Sequence, residues 1–458
     1  MEKEITRREK TTIYLMTAGC FLGSINQTIL GPAIPSMMSD LQINASAAQW
    51  LTTIFLLVNG IMIPCTPYLM ARFRAKQLYI GAMSIFCLGT FFAGIGHSFV
   101  LLLVARILQA LSFGVLMPLL SGSVLMMYPQ TMRGKAMGTI GVVFSIAPAI
   151  GPSIAGFIID LYNWNVVFLG LVPFIVVNIL ICMFVMPDIG ETHSVELDRM
   201  SVVLSTIGFG SLLYGFSAVG SFGWQSMQVY GPLLIGGVVI YAFIKRQHRL
   251  STPLLRFETM TNKKFVIGMI LCMLINAALL FGSVLTPIYL QEIRGYSVFM
   301  SAMVMFPAAV LSALINPVVG MIFDKKGGRP VILWGLLLLL IGSASYLTFY
   351  EHTATWYILL MYSVRLFGIN IVQMPVTTWS MSDFEGDIIP HANALFNTLR
   401  QIAGSVGTAV FVSVYTVVEQ AANSLMGIHV AFGVSSLLMV AALIFAWVKV
   451  QKEGQENA

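Results

Sequence analysis

Long apolar runs recur along the whole chain, each closed by charges or by glycine and proline. Six fall near 12–34, 50–70, 78–96, 99–127, 136–159 and 166–186, and two more near 201–220 and 227–244. The last six fall near 265–290, 298–323, 331–349, 355–381, 392–417 and 425–448. A helix needs about 20 apolar residues to cross the hydrocarbon of a bilayer, so the pattern predicts fourteen transmembrane helices. Two polar segments break the rhythm: an acidic one (Asp188, Glu191, Glu196, Asp198) and a basic linker from Lys245 to Lys264. They divide the chain into a six-helix half (1–198), an inserted two-helix hairpin with its linker (199–264) and a second six-helix half (265–458).

Composition sharpens this reading. Of 458 residues 57% are hydrophobic and 10% charged, against about 25% charged in an average globular chain. A soluble enzyme, a disordered chain and a nucleic-acid-binding arm are excluded. The first apolar run is too long for a signal-peptide core and lacks a small-residue cleavage site, so it is expected to be retained as a span. All five cysteines lie inside apolar runs without metal-ligand spacing, so neither a metal nor a disulfide framework is expected.

The net charge of +6 is a topology signal. Fourteen spans put 21 of the 25 basic residues at one end of the bundle and only Arg294 at the other; Arg106, Arg365 and Arg400 fall within spans. Basic loops stay in the cytoplasm, so both termini are expected there, with no nucleic-acid partner.

The halves repeat each other. Pro67–Lys76 corresponds to Gly320–Arg329, Arg106 to Arg365 and Gly151 to Gly407, at offsets of 253, 259 and 256 residues. Both arginines precede a Met-Pro pair, Met117-Pro118 and Met374-Pro375. Duplicated halves facing each other across a central site are how secondary transporters obtain alternating access.

At these residues the chain resembles the fourteen-helix drug:proton antiporters of the major facilitator superfamily. The fifth span carries Ala147-Pro148-Ala149-Ile150-Gly151-Pro152-Ser153-Ile154-Ala155-Gly156, similar to the antiporter signature of spaced glycines with a Gly-Pro pair. Small residues there would let two helices approach, and Pro148 and Pro152 would permit a bend. Gly320-Met321-Ile322-Phe323-Asp324-Lys325-Lys326-Gly327-Gly328-Arg329 resembles the loop motif whose Asp and basic residues form a charge relay latching the outward-facing state. The first-half copy has Ala71 in place of that Asp and Arg74 in place of the Gly, so any latch should rest on Asp324, Lys325 and Arg329. Arg106-Ile107-Leu108-Gln109 resembles the fourth-helix motif implicated in proton transfer, and Arg365 repeats it. The alternative for both is a structural guanidinium bonded to helix carbonyls.

The first span reads Asn26-Gln27-Thr28-Ile29-Leu30-Gly31-Pro32, with Asn26 where many members have Asp. Together with Gln49-Trp50-Leu51-Thr52-Thr53 and Val58-Asn59-Gly60, it resembles the lincomycin-resistance type of multidrug exporter. Amide side chains carry no proton, and no Asp or Glu lies well inside any run. The resemblance implies that Asn26, Gln27, Gln109, Asn276, Asn370 and Gln373 line a central cavity, with Arg106 and Arg365 serving coupling. A monomeric multi-pass protein of the bacterial plasma membrane is expected, exporting small amphipathic compounds on the proton gradient without any other cofactor. A specific permease for a metabolite or lipid-like substrate and a non-transporting receptor are the competing readings. No feature indicates an enzyme.

Overall fold

The bilayer cannot hydrogen-bond a bare backbone, so each apolar run must close its own bonds as a helix. The computed structural model describes residues 6–43, 45–187, 198–250 and 252–450, and among these there are helices and turns but no strand. Asp188, Glu191 and Glu196 lie outside the described residues. The first half comprises α1 (Arg7–Thr28), α2 (Leu30–Leu41), α3 (Ala45–Met62), α4 (Thr66–Arg72), α5 (Ala75–Ile95), α6 (Phe99–Met127), α7 (Arg133–Leu161) and α8 (Trp164–Val185). Then come α9 (Arg199–Phe222) and α10 (Met227–Gln247). The second half holds α11 (Lys263–Ile288), α12 (Val298–Lys326), α13 (Gly328–Ala344), α14 (Thr355–Ser380), α15 (Ile388–Ala421) and α16 (Ser424–Lys449).

Sixteen helices make fourteen spans because the first two spans are each broken. Pro32 has no N–H to return to Thr28, and the first span divides at Ile29 into α1 and α2. Pro64 and Pro67 divide the second span, where a 3-10 turn (Ile63–Cys65) joins α3 to α4. Among the described residues, thirteen spans are long and apolar enough by length and composition to cross a membrane; α7, 29 residues long, makes the fourteenth. Side chains close the helix starts: Thr6 and Glu9 form a capping box on α1. Ser98, Asp198, Asn262, Ser297 and Asn423 each accept from an amide of the helix that follows.

In the first half α5 packs on α6 and α8, and α1 on α7; in the second α11 packs on α15, and α13 on α14 and α16. The halves meet chiefly along α7 and α12, and also where α15 reaches α6. Missing side chains make the α7–α12 contact close. A Cβ on Gly138 would sit 3.1 Å from the Cα of Pro317, and one on Gly320 would run into the Gly134 backbone.

The inserted pair is more than an appendage. Helix α9 packs on α3 of the first half and α15 of the second, and Leu213 fills the space over Gly60. Its linker is fastened at the basic end of the bundle. Asp198 pairs with Arg246 at 2.7 Å, which holds the Asp198 carboxyl well below the usual range. The buried Gln247 donates to Ser201 (2.6 Å) and accepts from the Leu254 amide (2.6 Å).

Candidate functional site

Three guanidinium groups enter the bundle, and the fold treats them differently. Arg106 of α6 is 2% exposed and anchors a polar network inside the first half. Its Nε donates to the Leu51 carbonyl (3.1 Å), and its Nη1 donates to Asn26 Oδ1 (3.2 Å) and Gln109 Oε1 (2.9 Å). The Asn26 and Gln109 amides both donate to Thr90 Oγ1, at 3.5 and 3.4 Å, and the Thr90 hydroxyl donates to the Phe86 carbonyl (2.8 Å). The Phe55 ring centroid lies 4.3 Å from the guanidinium carbon, a contact of about 0.5–2 kcal/mol. An embedded cation is costly in a membrane, and here neutral oxygens and a ring face offset that cost. Asn26 explains itself in this setting: an amide accepts from Arg106 with one end and donates to Thr90 with the other, which a carboxylate could not do.

Arg365 of α14 has no such network. It is 1% exposed, donates through Nη2 to the Ala278 carbonyl, and lies 5.4 Å from the ring centroids of both Phe281 and Phe432. Gly282 and Gly342 give it room. Its surroundings are those of a guanidinium built into the packing of α11, α13, α14 and α16, and differ from those of Arg106.

The third, Arg400 of α15, borders a niche between the halves. Ser121, Thr377, Asn393, Asn397 and the methionines Met117, Met137 and Met374 share its lining, and the enclosed volume is about 20 Å³. No drug-sized ligand fits there in this conformation. Asn393 closes the niche across the halves, donating to the Pro118 carbonyl (3.0 Å) and to Ser121 Oγ (2.9 Å). Asn276 holds α15 from behind by donating to the Arg400 carbonyl (2.9 Å).

The expected cavity residues thus separate. Asn26 and Gln109 are fully buried in the Arg106 network, Gln27 beside them is half-buried, and Asn276 binds backbone within the second half. Asn370 and Gln373 are buried on α14, where Asn370 donates to the Leu366 carbonyl of its own helix (2.9 Å). Thr90, Asn393, Asn397 and Arg400 escaped the candidate set. A detectable signal was present: Asn393, Asn397 and Arg400 recur at helical spacing on an otherwise apolar face.

The seal at the basic end also differs from the expected charge relay. Asp324 Oδ1 accepts from the Gly134 amide (2.8 Å) and Oδ2 from the Lys135 amide (2.9 Å). These are first-turn amides of α7, so the carboxylate sits where free N–H groups and the helix dipole favour an anion. Lys325 is exposed, and Arg329 instead donates to the Trp447 carbonyl of α16 (3.0 Å). In the signature of α7, Gly151 lies against Thr28 Oγ1 and is 3.3 Å from the Ile25 carbonyl, measured from a built Cβ. Among the described residues, a Cβ at Gly156 would meet nothing within 4 Å outside its own helix backbone, so no close contact there requires glycine. Pro152 is half-buried on the same helix; the side chain of Pro148 lies outside the described residues.

The Major Facilitator Superfamily profile matches residues 16–408. The chain is 38% identical over 431 residues to the uncharacterized MFS-type transporter YcnB of Bacillus subtilis (strain 168), covering 94% of this chain and 91% of that one. It is 35% identical over 404 residues to the lincomycin resistance protein LmrB of the same strain, covering 88% and 84%. Among solved structures, the human organic anion transporter MFSD10 (TETRAN) superposes with a TM-score of 0.69 at 15% identity, over 96% of this chain and 99% of that one. The chain belongs to the major facilitator superfamily; it is a multi-pass membrane transporter and not an enzyme.

Asp324→Asn keeps the shape of the latch but removes the charge that two amides share. Hydrogen bonds to charged groups are worth roughly 1.5–3 kcal/mol each, and the Asn oxygen still accepts from one amide, so the closed arrangement should lose about 1.5–3 kcal/mol. A cysteine at Ser121 should then become reactive from the basic end at least ten-fold faster in Asp324→Asn than in the parent. Unchanged reactivity would show that the α7–α12 packing seals this end without the carboxylate.

Proposed function

We propose that this protein exports amphipathic compounds across the bacterial plasma membrane by alternating access, driven by inward proton flow, as a monomer. The observation that carries the reading is the pair of repeated halves held shut at one end by Asp324 and Asn393, with the polar niche around Arg400 between them. Opening that end and closing the other would expose the niche alternately to the two sides. The basic end is assigned to the cytoplasm by its lysines and arginines, so the arrangement described is the one closed toward the cell interior. The name of LmrB favours antibiotics as cargo.

The charge of the interior narrows the cargo. Arg106 and Arg400 sit among amides, hydroxyls and methionines, and the acids of the second half lie at its ends. Recognition of a permanent organic cation in a low-dielectric cavity calls for a carboxylate, so neutral, zwitterionic and weakly anionic amphiphiles are the preferred substrates. Coupling protons would be held near the mouth. There Tyr415 donates to Glu419 Oε1 (2.7 Å) and lies 3.4 Å from Glu292 Oε2.

Three experiments test this reading. In a drug-hypersensitive host, a neutral antibiotic should be exported and a quaternary dye should not. Asn26→Asp should leave that ranking unchanged, because the new carboxylate would face Arg106 rather than the cavity. Strong export of the quaternary dye by the unmodified protein would sink the charge argument. Gly151→Leu should abolish transport at near-normal abundance, while Gly156→Leu should be tolerated; equal loss in both would mean that the Thr28 contact is not the critical one. For orientation, a cysteine at Lys326 should label only from the cytoplasm and one at His352 only from outside. Labelling of both from one side would end the fourteen-span topology.

A further inference from the structure

Arg329, like Lys325, belongs to the loop motif but takes no part in the seal, and its position suggests another role. It opens α13 beside the last turn of α16, where it donates to the Trp447 carbonyl. Below it, on the hydrocarbon side, α13 and α16 enclose a groove of about 540 Å³. Leu333, Trp334 and Leu337 form one wall, and Leu443, Ile444 and Trp447 form the other. Trp334 and Trp447 are 66% and 64% exposed. Such indoles are unpacked by protein yet suited to the boundary between headgroups and acyl chains. Basic residues end the helices at this side of the bundle, and Arg329 reaches the backbone of Trp447, which lines the groove. Lys325 and Lys326 end α12, Lys449 ends α16, and all three are exposed. Among the described residues, no carboxylate pairs with any of these lysines or with Arg329.

We propose that this groove is a docking site for an anionic diacyl phospholipid of the leaflet at the basic end. Its phosphate would meet Arg329 and Lys449, and one acyl chain would lie between Trp334 and Trp447. Two features select this occupant. From Pro330 to Leu337 the groove descends roughly 10 Å along α13 at about 1.5 Å per residue, toward the hydrocarbon, where a water-soluble partner does not reach. The unpaired cations then complement a negative headgroup, and the guanidinium, with one donor spent on Trp447, keeps others for phosphate oxygens. The site stands apart from the substrate path: it faces lipid on the outside of the second half. It does adjoin the seal, because α13 follows the Asp324 helix through Gly327 alone. A bound lipid would therefore tie α13 to α16 next to the element that closes the transporter.

The test is tryptophan quenching in vesicles, which needs no transport and so stands or falls independently of the export reading. The full-length protein is reconstituted in phosphatidylcholine with graded amounts of phosphatidylglycerol or phosphatidylcholine brominated in the upper acyl chain. The signal from the groove is the part lost in the double variant Trp334→Phe, Trp447→Phe. Half-maximal quenching of that part should need roughly 30-fold less brominated phosphatidylglycerol than brominated phosphatidylcholine, since each of the two basic residues contributes a factor of about five toward anionic lipid. Arg329→Gln should cut the preference about five-fold, and Arg329→Gln combined with Lys449→Gln should abolish it. Lys449→Gln, which breaks no hydrogen bond of the protein, should weaken it without disturbing α13 or α16. Equal quenching by the two lipids, or a preference that survives both charge removals, would overturn the proposal. Absence of quenching together with a concentration-dependent dimer would place a second copy in the groove and overturn it equally.

Discussion

Hydrocarbon offers no hydrogen bonds, and that constraint sets the form of nearly everything described above. It makes every span a helix, and where Pro118 frees the Gly114 carbonyl, the Thr66 hydroxyl donates to it. It also decides how charge can enter the bundle. Arg106 is tolerated because Leu51, Asn26, Gln109 and the Phe55 ring surround it. Arg365 is tolerated because Ala278 and two phenylalanine rings do the same work with fewer polar atoms. The residue types around each arginine are therefore consequences of its burial. Asn26 is the clearest case, an amide selected by a neighbouring donor and a neighbouring hydroxyl.

The same constraint separates two halves that began as copies. In the first half the arginine organises a network of exchangeable amides and hydroxyls, while in the second it is a packed structural element. The loop motif has diverged in the opposite sense. The first copy lost its acid to Ala71, while the second kept Asp324 and spends it across the interface on α7. Each half has thus retained one polar device, and the two devices complement each other: the first holds the embedded network, the second holds the seal.

How much of this could be read from sequence follows from what each pattern encodes. Run length and loop charge report burial in a membrane and sidedness, which are one-dimensional properties, so the fourteen spans were legible. The break at Pro32 and the caps at Ser98, Asn262, Ser297 and Asn423 depend on local chemistry and were legible in principle. Lining a cavity depends on the rotation of a helix about its axis, where neighbours along the chain point about 100° apart. Gly151 and Gly156 show the difference within one motif, since only the first meets a neighbour. Asn26 and Gln109 were legible as polar groups at depth, while their shared partner was not, because nothing local says that Thr90 of another helix stands between them. The latch was legible as a motif, but its partner was not: Asp324 binds backbone amides, which have no sequence signature.

That choice of partner bears on how a transporter of this kind can move. A lysine or arginine opposite Asp324 would be free to follow the carboxylate as the halves separate, and the attraction would fade slowly with distance. Amides at the start of α7 are fixed in the helix and bind only at contact. The seal is therefore short-ranged and close to all-or-none. Two hydrogen bonds to a charged acceptor are worth roughly 3–6 kcal/mol together, net of exchange with water. Shifting a two-state equilibrium from 1:99 to 99:1 takes about 5.5 kcal/mol of differential binding. The two figures are of one size. A latch much stronger than this could not be reversed by a substrate and a proton, and a much weaker one would leave both ends open together. The carboxylate on helix-start amides, backed by the glycine contact of α7 with α12, sits in the range where ligand binding can decide which end is closed.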